Sequence, residues 1–93
     1  SVEMDLHGIF ASINDQHFEG LLPPCDLYWN SRLRVVAGRF CPQKRFPNDF
    51  RLGLRPAFIE IASYLREVKD GEQLVRDTLG HEMIHYWLWT RGR

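Results

Sequence analysis

The 93-residue sequence predicts an α+β fold, one small domain spanning residues 1–93. Three observations carry that prediction. Apolar residues recur at helical steps near the start, short aromatic and β-branched runs occupy the middle, and a second helical pattern fills the end. The expected arrangement is an N-terminal helix, a short antiparallel sheet and a C-terminal helix. Hydrophobic residues make up 44% of the chain and aromatics 13%, enough to bury a core and to exclude intrinsic disorder. No apolar run approaches the roughly 18 residues of a membrane span, so no such span is expected.

Residues 3–19 read as an amphipathic helix, with Leu6, Ile9, Phe10, Ile13, His17 and Phe18 spaced by threes and fours. Gly20 stops it, and Pro23 with Pro24 excludes further helix. Asp26 to Asn30 is short and aromatic-rich, a first strand. Residues 33–41 read as a second strand of imperfect alternation, in which Gly38 marks a bulge or a close backbone approach. Pro42 to Asp49 reads as a loop, and Phe50 to Arg55 is apolar-rich. Ala57 to Ile61 alternates well enough for an edge strand. The last helix opens at Gly71 and Glu72 and runs to about Trp89.

Formal neutrality conceals a charge pattern. Residues 1–31 hold five acidic side chains and no Lys or Arg, whereas residues 32–55 hold seven basic ones against Asp49 alone. Ten of the twelve cations are Arg, which suits bidentate contact with carboxylate or phosphate. The basic block reads either as a patch for nucleic acid or acidic substrate, or as a solvated face neutralised by the acidic first helix. Cys25 and Cys41 are too few for a disulfide framework, and a lone pair builds no zinc site. The expectation is a reduced, intracellular, monomeric protein whose two thiols are buried apolar groups. The N-terminal stretch is acidic and amphipathic, unlike a secretory signal.

One segment carries chemistry. His81-Glu82-Met83-Ile84-His85 is an H-E-x-x-H on the predicted last helix. Residues i and i+4 share a helical face, so two imidazoles can reach one zinc ion. Glu82, beside them, can take a proton from water that the ion has acidified and return it to a leaving amine. The competing reading has two core histidines hydrogen-bonded to backbone. Leu74, Val75, Leu79, Met83, Ile84, Trp87, Leu88 and Trp89 make the helix apolar on several sides, the setting of a buried site. A third ligand is not evident. The metzincin extension needs Gly at position 88 and His at position 91, where the chain has Leu88 and Arg91. A thermolysin-like Glu about a score of residues downstream would fall beyond Arg93. His17 lies on the apolar stripe of the first helix and reads as core, and His7 reads as exposed.

Four segments in order, Ile13 to Phe18, Leu27 to Leu33, Ala37-Gly38-Arg39-Phe40 and Thr78 to His85, resemble the SprT-like metallopeptidase family. The resemblance runs from about residue 5 to residue 90. It implies a small zincin-like α+β domain with zinc as cofactor. It also implies His81 and His85 as metal ligands, Glu82 as general base, and a third histidine downstream, before which residues 1–93 stop. It further implies cleavage of proteins bound or crosslinked to DNA. Under it, Arg32, Arg34 and Arg39 are candidate DNA or substrate contacts, Ala57 to Ile61 is the candidate edge for a substrate strand, and Trp29, Trp87 and Trp89 are core. Gly80, where the family commonly has an aliphatic residue, either lets a strand approach the motif helix or is drift. A non-catalytic nucleic-acid or protein binding module with a vestigial H-E-x-x-H is the alternative, and a structural zinc domain a weaker one.

Overall fold

Apolar residues at steps of three and four coil the start of the chain into helix α1, Leu6–His17, which buries Leu6, Ile9, Phe10 and Ile13. Its end is a left-handed turn. The Gly20 N–H donates back to the Asn14 carbonyl at 2.9 Å, with Glu19 and Gly20 both at positive φ. The Asn14 side chain then fixes the exit, donating to the Leu22 carbonyl at 3.0 Å and accepting from the Leu22 N–H at 3.1 Å. His17 is exposed at this end rather than in the core. Phe18, beyond it, packs against the core instead. This computed structural model describes residues 4–42, 44–45 and 54–92, with backbone only at 44, 45, 54 and 55.

Five strands follow among the described residues: β1 (Asp26–Asn30), β2 (Gly38–Cys41), β3 (Lys44–Arg45), β4 (Leu54–Arg55) and β5 (Phe58–Ala62). The principal sheet is mixed, in the order β1-β5-β2, with β5 parallel to β1 and antiparallel to β2. The expected antiparallel sheet is therefore corrected, and so is the expected edge position of Ala57 to Ile61. That segment is the central strand, buried at all five positions of β5. Its alternation misleads because Glu60, which reads as a solvent-facing residue, is itself buried. Because β1 and β2 flank β5 on opposite sides, residues 31–37 must cross the end of β5, a span of two strand spacings, and cannot themselves be strand. The second strand accordingly starts at Gly38, not at Leu33. Within the expected loop, Lys44–Arg45 pairs with Leu54–Arg55 as a short antiparallel ladder. The rest of the Phe50 to Arg55 stretch lies outside the described residues.

A 3-10 turn, Ser63–Arg66, leads to helix α2, Gly71–Arg91. Both helices lie on one face of the sheet, α2 against β2 and β5, and α1 against β1 and α2. The core between them is built from Ile59, Ile61, Val75, Leu79 and Met83, all fully buried, with the α1 stripe, Leu27 and Leu65 around them. Trp29, Trp87 and Trp89 are partly buried and pack against this core. Only one face of α2 is interior. Leu74, Ile84 and Leu88 point to solvent, so the helix is apolar on more sides than it buries.

Candidate metal centre

The motif sits in the middle of α2, which continues through Gly80 without a break. Val75, Leu79, Met83 and Tyr86 turn one face inward, and that phase fixes where the motif side chains go. His81 and His85 emerge on the exposed side, and Glu82 lies against the interior at 8% exposure. The two Nε2 atoms stand 3.3 Å apart with the rings nearly perpendicular, at 82°. Two imidazole nitrogens at about 2.0–2.1 Å from one tetrahedral zinc ion stand about 3.3–3.4 Å apart. The pair thus fits half of such a site. Among the described residues, no group of three or more His, Cys, Asp or Glu is placed to hold a metal ion. Neither His17 nor a cysteine joins the pair, and His7 is exposed as expected.

A cleft of about 490 Å³ opens beside the motif. Val36, Ala37 and Gly38 form one wall, and Asp77, Thr78, His81 and Glu82 the other. The walls meet closely because residue 38 is glycine. A Cβ there would lie 2.7 Å from Thr78 Cγ2 and 2.9 Å from the Glu60 carbonyl oxygen. Gly38 is therefore a close approach between β2 and α2. Gly80 is not one, since a Cβ on it would meet nothing within 4 Å. Sequence reasoning missed Asp77. It lies one turn before His81 on the same face, a spacing that could have flagged it, and accepts a hydrogen bond from Gln73 Nε2 at 2.8 Å.

The candidate arginines do not gather at this cleft. Arg32 and Arg34 are exposed in the crossing segment, and neither lines the cleft. Arg39 alternates with Gly38 and so faces away from α2. On that far face its Nε donates to Glu60 Oε2 at 2.8 Å, and Asn30 Nδ2 donates to the same oxygen at 2.7 Å. This hydrogen bond and the charge of Glu60 push the Arg39 pKa above its ordinary value. Elsewhere, Tyr86 anchors the end of α2 by donating to the Pro23 carbonyl at 3.0 Å. Burial raises its pKa, with a smaller contribution from Cys25. The Cys25 thiol is pushed up to about 12, by burial first and then by Asp26. Cys25 and Cys41 are both free and half-buried.

The sequence model of the SprT-like family matches residues 6–93, which include both histidines, Glu82 and the cleft wall at Gly38. The chain belongs to the SprT-like family. It is 36% identical over 66 residues to a Protein SprT-like of Streptococcus pyogenes serotype M6, covering 71% of this chain and 37% of the relative. Proteins of the same name from Streptococcus gordonii and Streptococcus sanguinis are each 35% identical over 66 residues, again 71% of this chain, and 36% and 37% of the relatives. The matched segment thus spans little more than a third of these SprT-like proteins. No solved structure matches the chain. No helix among the described residues is long and apolar enough to cross a membrane.

Proposed function

We propose that this SprT-like domain is a zinc-dependent endopeptidase that acts on DNA-bound or DNA-crosslinked proteins as a monomer. The observation that carries the reading is the 3.3 Å separation of the His81 and His85 Nε2 atoms, beside a cleft that also receives Glu82. His81 and His85 would hold zinc, with further ligands from elsewhere, since four-coordinate zinc needs more than this pair. Zinc there would supply Lewis acidity and water activated near neutral pH. Glu82 takes the proton from the attacking water and returns it to the leaving amine as the peptide bond breaks. It lies against the interior and lines the same cleft as His81. The substrate would lie along β2, which is an edge of the principal sheet, rather than along β5.

Exposed Arg32 and Arg34, in the segment that leads into the cleft wall, would steer a DNA-bound substrate towards it. Elemental analysis of a protein that includes the further ligands should find about one zinc per chain. Glu82→Gln should retain that metal and lower turnover by about 10²–10⁴-fold. Metal retained with turnover unchanged would refute the role of Glu82. The exposure of Arg32 and Arg34 also favours a second reading, a non-catalytic nucleic-acid binding module. That reading expects a steep salt dependence of DNA affinity, unaltered by Glu82→Gln.

A further inference from the structure

Two neighbouring valines are left over by the fold. Val35 is 96% exposed and Val36 49% exposed, and neither packs against the core. They stand in the crossing segment that β1 and β2 require. Only Val36 lines the cleft, facing the wall made by Thr78, His81 and Glu82. The distance between these walls is set by Gly38, since any side chain there would meet Thr78 Cγ2 and the Glu60 carbonyl. This half-exposed isopropyl group stands beside the candidate reacting groups, on a wall held at fixed distance, and does not pack against the core. It offers apolar surface to whatever occupies the cleft.

We propose that Val36 is a specificity-determining residue, and that the cleft selects peptides with an apolar side chain beside the scissile bond. The inference rests on the peptidase reading of the site. A peptide in the cleft removes the Val36 methyls, Ala37 and the Thr78 methyl from water when its own side chain is apolar. A carboxylate in the same place is desolvated against Val36 and Ala37, whose side chains offer it no donor.

The test uses two peptides that differ only in Leu or Asp at the position beside the cleaved bond, with the zinc-loaded protein. Expected is a preference for the Leu peptide of about tenfold or more in kcat/KM, the scale set by small apolar pocket contacts. Val36→Lys should shift that ratio towards Asp by about tenfold, and Val35→Lys, one residue away but outside the cleft, should leave it within about twofold. Val36 is exposed, so the lysine variant keeps the core intact, and Val36→Thr gives a near-isosteric intermediate. The Kd values of both peptides for the Glu82→Gln variant, from fluorescence titration, give the same ratio without turnover. If neither peptide is cleaved yet the Leu preference appears in binding and disappears in Val36→Lys, the peptidase reading falls and the role of Val36 stands. A ratio unmoved by Val36→Lys, an equal shift in Val35→Lys, or no binding of either peptide overturns the inference.

Discussion

Gly38 and Gly80 are both glycines beside the candidate site, yet they have opposite reasons to exist. Gly38 is required, because backbone and side-chain atoms stand under 3.0 Å from where a Cβ would be. Gly80 faces open space, and a helix-interior glycine costs roughly 1 kcal/mol relative to alanine. Gly38→Ala should therefore destabilise by about 1–3 kcal/mol through overpacking, and Gly80→Ala should stabilise by about 0.5–1 kcal/mol. Urea unfolding monitored by circular dichroism separates the two, and equal signs would contradict this packing. Glu60 shows why residue type alone misleads. A glutamate between two isoleucines reads as a solvent-facing edge position, but Arg39 and Asn30 from the two flanking strands both donate to it. A buried carboxylate with two donors is compatible with a central strand. Neither donor is near it in sequence, so the arrangement was not legible there.

Helix α2 was legible in its existence, start and motif, but not in its facing. Its apolar residues outnumber those that one buried stripe can take. Packing on β2 and β5 selects Val75, Leu79 and Met83 for the interior and leaves Leu74, Ile84 and Leu88 outside. Leu79→Ala should cost about 2–5 kcal/mol, since it empties a fully buried site, whereas Leu88→Ala, at 56% exposure, should stay within about 0.5–1 kcal/mol. Similar losses from the two variants in thermal or urea unfolding would mean that α2 turns a different face to the sheet. Strand β2 was half legible. Gly38 and Phe40 lie in it as their residue types suggest, while residues 33–37, which read as strand, make the crossing over β5 instead.

Across the whole molecule, burial of polar groups couples stability to pH. The folded chain keeps the Cys25 proton up to about pH 12, whereas an unfolded chain sheds it near 9.0. The folded state thus binds more protons in that window, and the stability from this thiol, complete below pH 9, is lost as pH rises through it. Tyr86, raised above 10.0, acts in the same direction. The urea midpoint should be lower at about pH 10.5 than at about pH 8, and Cys25→Ala should flatten part of that slope. A midpoint that rises with pH would contradict the burial of both groups. Local periodicity, and residue types a few positions apart, were enough to establish an α+β chain, its first and last helices, and an H-E-x-x-H on the last one. Long-range packing alone made β5 central, mixed the sheet, buried Glu60 and turned the two histidines outward, with His81 across the cleft from Val36. Each of these depends on which distant segment fills the neighbouring space, and spacing along a chain carries no record of that.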